Sequence, residues 1–215
     1  MKASLMLFTV CVLSSTAALA SSAVEFGVAG RITPGACYPV LSHHVVDFGE
    51  IKVAELQRHT ATVIDRERLN TLDISCDGPT VFGVRGVDDR ASSVGNNWYP
   101  AAYGLGTTSR GENIGAHHVE VHPARSTIDG EPVYASLSDA RGAHWEYSTS
   151  EPTGIPNDGR LLGLTDRSGD ARGPVPVQYA TLGLTHFMVV APASGLTLTG
   201  EVLLDGKATL ELIYL

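Results

Sequence analysis

Apolar and polar residues alternate with a period of two in several short segments of this 215-residue chain, and helical periodicity is weak everywhere. The alternating segments lie at residues 24–32, 72–76, 118–122, 175–181 and 208–214. Most of them are bounded by Gly, Pro, Asn or Asp, which are the residues that turns prefer. Short strands separated by turns predict an all-β chain folded as an antiparallel sandwich.

The middle of the chain, from residue 88 to residue 174, is richer in Gly, Ser, Asp and Asn than either end. We expect short strands on long loops there. The formal net charge of the whole chain is −8, and the sequence contains no basic stripe. This charge pattern argues against nucleic acid as a partner.

The first twenty residues have the three parts of a secretory signal peptide. Lys2 gives a positive start, residues 5–13 are almost all apolar, and the segment ends in small residues at Ala18-Leu19-Ala20. The apolar run is shorter than the ~20 residues of a membrane-spanning helix, although an uncleaved anchor is the alternative. A signal peptide would direct the export of the chain, and cleavage after Ala20 would leave residues 21–215 as the mature protein.

Cleavage would also change the cysteine count, because Cys11 lies inside the signal peptide. The preceding Val10 is not the small residue that a lipid-attachment site requires. Cys37 and Cys76 remain, and an even count in an exported chain predicts a disulfide. Two free thiols or half of a metal site are the alternative, but no C-x-x-C or Cys/His spacing supports it.

Three histidines form the densest ligand-like cluster, His117, His118 and His122. On a strand, His118, Glu120 and His122 would share one face, close enough for weak metal binding. A polar face toward solvent, opposite two valines, is the favoured alternative. We therefore expect no metal site and no cofactor.

Two other patterns suggest catalysis only weakly. Gly104-Leu105-Gly106, followed by Gly111, has the glycine content of a phosphate loop, but no helix pattern follows it, so a turn is favoured. Asp88 and Asp89 would point to opposite faces of an extended chain, so a turn with a local pair to Arg90 is favoured over an acid pair. The mature chain lacks G-x-S-x-G, H-E-x-x-H and C-x-x-C, so we expect no enzyme.

Several aromatic side chains in the middle of the chain could stack on a sugar, although such residues more often fill a core or brace a loop. They are Trp98, Tyr99, Tyr103, Trp145 and Tyr147. A sugar-binding protein is therefore kept as an alternative, as is a secreted hydrolase of unknown type.

The two ends of the mature chain resemble the subunits of chaperone–usher pili, which are bacterial surface fibres. Residues 21–37 resemble the N-terminal extension of these pilins, in which an alternating apolar segment containing a glycine runs into the first cysteine of a disulfide. Here Gly30 lies seven residues before Cys37. Residues 206–215 look like the last pilin strand, which has a penultimate aromatic residue.

Other segments extend this resemblance. Residues 46–51 look like the pilin strand that follows the first cysteine, and Cys76 closes the loop at a pilin-like distance. Residues 87–90, 103–106 and 114–115 resemble a pilin-like domain family that is catalogued as of unknown function.

The resemblance implies an incomplete immunoglobulin-like antiparallel β-sandwich with one disulfide and an N-terminal donor-strand extension. The expected organisation is a signal peptide at 1–20, the extension at 21–33 and the sandwich at 34–215. The residues expected to enter a neighbour's groove are Val24, Phe26, Val28, Gly30 and Ile32. The strand expected to bind a chaperone and border the groove carries Ala208, Leu210, Leu212 and Tyr214.

The function implied by the resemblance is that of a structural subunit of a surface fimbria, polymerising by donor-strand exchange. The expected partners are a periplasmic pilus chaperone, an outer-membrane usher and identical or related pilin subunits. The subunit would be exported through the periplasm into a fimbrium on the cell surface. The alternative within this class is a glycan-binding adhesin or a minor or tip subunit, with a host glycan or receptor as partner.

Overall fold

A computed structural model describes residue 22 and residues 24–31, 35–95 and 101–215. The chain divides into two units, residues 1–33 and residues 34–215. The expected signal peptide, the donor residue Ile32 and the aromatic residues Trp98 and Tyr99 lie outside the described residues. No helix among the described residues is long and apolar enough to span a bilayer.

The regular structure in the described part of the second unit consists of strands and a few short 3₁₀ turns, which confirms the all-β prediction, and every pair of strands is antiparallel. The strands of its described part are β1 (Cys37–Leu41), β2 (Thr62–Thr80), β3 (Phe82–Asp88), β4 (Ala102–Gly104), β5 (Gly115–Val121), β6 (Thr127–Ile128), β7 (Glu131–Pro132), β8 (Tyr134–Leu137), β9 (Thr153–Gly154), β10 (Leu162–Thr165), β11 (Val177–Val190) and β12 (Ala208–Tyr214). Its helices are short 3₁₀ turns at Val53–Glu55, Ala91–Ser93, Pro123–Arg125 and Ala193–Gly195.

These strands form two sheets. The larger sheet has the order β1-β2-β11-β5-β4, with β6 and β9 paired to β11 and β5 and with β7 paired to β6. The smaller sheet has the order β12-β3-β10-β8. β1 and β12 are therefore terminal strands, one in each sheet, and β4 and β8 lie at the opposite ends of the two orders.

The main core joins apolar side chains from both sheets. β2, β11 and β5 contribute Leu72, Leu182 and Val121, and the smaller sheet contributes Val84 and Leu162. All five are at most 2% exposed. Burial of each such side chain contributes roughly 1.5–3 kcal/mol, so this core is the principal source of stability.

A second apolar cluster lies beside the main core. Its buried members are Phe48, Ile64, Leu105, Ile114, Met188 and Val190. The segment that contains Phe48 leads from β1 to β2, and it runs without strand structure between residues 43 and 52.

The expectation of a strand at residues 46–51 is therefore wrong, and two arginines of β2 explain why. Arg66 donates to the carbonyl oxygens of Phe48 at 3.2 Å and Glu50 at 2.6 Å. Arg68 donates to the carbonyl oxygen of Asp47 at 2.7 Å. Since side chains satisfy these backbone acceptors, the segment needs no neighbouring strand.

The disulfide between Cys37 and Cys76 forms as expected and joins β1 to β2, closing a sequence separation of 39 residues. The two cysteines are also partners in the β1–β2 register. The strands predicted at the C-terminus and around the histidines are confirmed as β12 and β5, and residues 88–174 carry short strands as expected.

In the first unit, residues 24–31 have no regular secondary structure, and all of their side chains are exposed. Val24, Phe26 and Val28 are 91%, 87% and 90% exposed. A Cβ atom added at Gly30 would meet nothing within 4 Å. An exposed alternating row of large apolar side chains is uncommon in a soluble protein and marks a surface that could bind a partner.

Candidate functional site

The outer edge of β12 has backbone groups that pair with no other described strand. Among the described strands, β12 pairs only with β3. Asp89 N–H donates to Lys207 C=O at 3.0 Å, and Leu215 N–H donates to Val81 C=O at 3.1 Å. Because hydrogen-bonded pairs alternate along an antiparallel ladder, the odd-numbered residues of β12 bond to β3. The N–H and C=O groups that face the free edge belong to Ala208, Leu210, Leu212 and Tyr214.

Apolar side chains accompany these free backbone groups. Leu210 and Leu212 are half-buried and pack against the main core, whereas Ala208 and Tyr214 are exposed. The core therefore remains partly open beside β12. Strand addition to a sheet edge uses this combination, with backbone hydrogen bonds for affinity and apolar pockets for alternate side chains.

β1 forms the terminal edge of the other sheet. Ser42 N–H donates to Thr71 C=O, and Asp77 N–H donates to Ala36 C=O, both at 2.9 Å. The backbone N–H and C=O groups of the even-numbered residues of β1 therefore face β2. The free edge belongs to Cys37, Pro39 and Leu41. Because Pro39 has no N–H, this edge has fewer donors than the edge of β12.

One hydrogen bond connects β1 to β12. Cys37 N–H donates to the Tyr214 hydroxyl oxygen at 2.9 Å. Cys37 lies in the larger sheet and Tyr214 in the smaller one, so the bond passes between sheets. The edges of β1 and β12 are thus tied together at the end where β1 begins and β12 ends.

The structure distributes the histidines over two faces of β5 instead of gathering them. His117 Nε2 lies 2.9 Å from His186 Nδ1 of β11, and the two rings are nearly parallel. Burial lowers the pKa of both, to about 3 for His117, where the neighbouring histidines add to the effect, and to about 4 for His186. His186 was missed from the sequence, because its partner lies 69 residues away.

The other face of β5 carries His118, Glu120 and, just beyond the strand, His122. No group of three metal-ligating side chains occurs among the residues that the structure describes. The expected solvent-facing surface is wrong for His118, which is 4% exposed and stacks on Phe187 with ring centres 4.8 Å apart. Burial raises the pKa of Glu120 and lowers that of His122.

The glycine and aspartate patterns form turns. β4 ends at Gly104, and Gly106 adopts a positive φ of 87°. The Asp88 carboxylate accepts the N–H groups of Arg90 at 2.8 Å and Gly104 at 2.9 Å. The expected local ion pair is wrong, because the Arg90 guanidinium pairs with Asp205 at 2.8 Å.

The described aromatic residues do not form one platform for a sugar. Tyr103 is buried and donates its hydroxyl to the Ile155 carbonyl at 2.8 Å. Trp145 packs so closely on Gly163 that an added Cβ would lie 2.4 Å from its ring. Tyr147 is 76% exposed. Two of the three therefore brace the fold.

Two comparisons with known proteins relate this chain to others. A family model described as a protein of unknown function (DUF1120) matches residues 26–100. Protein GltF of Escherichia coli (strain K12) is 28% identical over 252 aligned positions, which cover 96% of this chain and 96% of that protein. The family match includes most of the exposed extension, both disulfide cysteines and strands β1 to β3. The chain is thus similar, along nearly its whole length, to an Escherichia coli protein, and its residues 26–100 are similar to a family of unknown function.

Proposed function

We propose that this chain is a structural subunit of a chaperone–usher surface fimbria, whose immunoglobulin-like sandwich is completed by a strand from a neighbouring subunit. The free edge of β12 is the observation that carries the proposal. Backbone groups that pair with no other described strand lie there beside the half-buried Leu210 and Leu212. An edge of this kind is prone to pair with another chain.

The N-terminal extension supplies a suitable strand. Val24, Phe26, Val28 and Ile32 alternate with small or polar residues, and Gly30 occupies one of the same alternate positions. Each apolar side chain buried in a groove would contribute roughly 1.5–3 kcal/mol. Gly30 would allow the donor to pass a narrow point, since it has no side chain.

A donor at one end and an acceptor on the body make a head-to-tail contact that does not close on itself, so repetition builds a fibre. The signal peptide at 1–20 would deliver the chain to the periplasm. A periplasmic chaperone would cover the β12 edge until an outer-membrane usher passes the subunit to the fibre. The fibre would contain identical or related subunits.

The donor strand can be tested by replacing Gly30 with leucine. Gly27 offers a matched control, because it occupies an outward position of the same segment and also has open space around it. We expect Gly30→Leu to abolish fibres seen by electron microscopy and Gly27→Leu to preserve them. Normal fibres from the Gly30→Leu strain would overturn the donor assignment.

The acceptor edge has its own test. Leu212→Asp places a charge on the half-buried face of β12, and Thr209→Asp places one on an exposed residue of the same strand. We expect only Leu212→Asp to lose co-purification with a periplasmic chaperone. Equal recovery of the chaperone with both variants would contradict the role of β12.

A further inference from the structure

The hydrogen bond between Cys37 and Tyr214 occupies a backbone donor on the free edge of β1, where an added strand would otherwise bind. Cys37 N–H points toward the free edge of β1, as the alternation of the β1–β2 ladder requires. It is therefore one of the few donors that β1 could offer to an added strand. The Tyr214 hydroxyl oxygen, at 2.9 Å, already accepts it.

The tyrosine also has a defined position relative to the apolar part of the groove. Leu210, Leu212 and Tyr214 alternate along β12 and so lie on the same face. Leu210 and Leu212 pack against the core, but the Tyr214 side chain reaches the other sheet instead. A strand lying between the two edges would cover both leucines and then meet this side chain.

We infer that Tyr214 is a positioning residue that ties the edge of β12 to the edge of β1 and sets where an added strand ends. The added strand, the extension of a second copy, would enter from the Ala208 end and stop before Tyr214. Pro39 contributes to the same arrangement, because its lack of an N–H leaves β12 as the principal hydrogen-bonding edge. The tie, which is the hydrogen bond from Cys37 to Tyr214, is independent of the proposed function. The limit, which is the end of the added strand before Tyr214, rests on the proposed function.

Amide hydrogen exchange of the full mature chain tests the tie. We expect the Cys37 amide to exchange about tenfold faster in Tyr214→Phe than in the wild type, since one hydrogen bond is lost. Tyr38→Phe is the control, because Tyr38 is an exposed residue of β1 whose side chain points away from the core. Equal exchange of Cys37 in wild type and Tyr214→Phe would overturn the tie.

Photo-crosslinking tests the limit on the strand. The probe is a synthetic peptide of residues 24–33 with a photoreactive group at either end, added to the full mature chain. In the wild type we expect the peptide to crosslink to residues in the range 208–212 of β12. In Tyr214→Ala we expect it to crosslink also to residues near Cys37. Identical crosslinks to β12 in both proteins would overturn the limit and leave the proposed function intact. Crosslinks that avoid β12 in both would overturn the limit and the proposed function together, and the exchange result would still decide the tie.

Discussion

The large and fully buried side chain of Tyr103 packs directly against Gly86 of β3. Its hydroxyl donates to Ile155, and a Cβ atom at Gly86 would lie 1.8 Å from the hydroxyl oxygen. Flexible movement cannot relieve this clash, because the ring is enclosed by the core. Burial also raises the pKa of Tyr103, so the hydroxyl stays protonated and continues to donate.

We therefore expect Gly86→Ala to lower the free energy of unfolding by about 3 kcal/mol, through overpacking and loss of the Tyr103 hydrogen bond. Gly78→Ala is the control, since a Cβ there meets nothing within 4 Å. That variant should change stability by less than about 1 kcal/mol. Urea unfolding of both variants measures the difference, and equal stabilities would refute the packing role of Gly86.

The pair formed by the half-buried His117 and the buried His186 predicts loss of stability in acid. In the unfolded chain a histidine has its ordinary pKa of about 6.5, whereas in the folded chain the pKa is about 3 for His117 and about 4 for His186. Their contribution to stability is therefore complete above pH 6.5, and it decreases as the pH falls from 6.5 to about 4 for His186 and to about 3 for His117. Each histidine accounts for about 1.4 kcal/mol per pH unit within this window.

Urea unfolding at pH 5.5 and 4.5 measures this effect, and we expect a decrease of roughly 2–3 kcal/mol between the two. His117→Leu combined with His186→Leu should weaken the dependence, whereas His59→Gln, at an exposed position, should not. A wild type whose stability is constant from pH 6.5 to 4.5 would show that the pair does not remain neutral in the folded protein.

These residues also show what the sequence could and could not predict at this scale. The alternation of His118 and Glu120 on β5, and of His122 just beyond it, was predictable from a period of two. The pairing of His117 with His186 was not, because it depends on the register of β5 with β11. The binding of Arg66 and Arg68 to carbonyl oxygens was equally hidden, since any exposed strand can carry arginines.

At the scale of elements, β1 depends on the disulfide more than other strands do. It is five residues long, and among the described strands it pairs only with β2. Cys37 and Cys76 connect these two strands. Closing a loop of this length stabilises the fold by about 4 kcal/mol in the chain-entropy model.

We expect the wild type to lose about 4 kcal/mol of unfolding free energy when it is reduced. The double variant Cys37→Ser and Cys76→Ser should match the reduced wild type and should not respond to reductant. Urea titrations with and without a thiol reductant make the comparison. An oxidised and a reduced protein of equal stability would contradict this role.

Among the elements, β12 was predictable to the residue, whereas β2 was not. The sequence of β12 alternates cleanly, but β2 extends over 19 residues through Arg66, Glu67 and Arg68. Its length follows from pairing with β11, which continues past the alternating residues 72–76 and supports the polar stretch 65–68 that has no periodicity of its own. The free edge of β12 was expected only by resemblance, because periodicity does not show which strand is terminal.

At the scale of the whole molecule, the proposed donor and acceptor belong to the same chain. Appending residues 24–33 after Leu215 through a flexible linker should therefore fill the groove within one molecule, at an effective concentration near the millimolar range. We expect a soluble monomer that melts at a higher temperature than the unmodified chain. Size-exclusion chromatography with light scattering and a thermal melt measure both properties.

The matched control for this variant is the same appended segment carrying Gly30→Leu. It should neither raise the melting temperature nor prevent association. Equal behaviour of the two appended segments would mean that the linker or added mass, and not a fitted strand, causes the effect.

Pro39 has a consequence for how such molecules behave when crowded together. Two copies that met through their β1 edges could not form a continuous ladder, because the missing N–H interrupts it at the middle of a five-residue strand. Unwanted sheet-to-sheet aggregation is thereby discouraged on one side of the molecule, while β12 remains able to pair. Growth through the β12 edge would then proceed in one direction, and we expect Pro39→Val to make the β1 edge able to pair with a second copy.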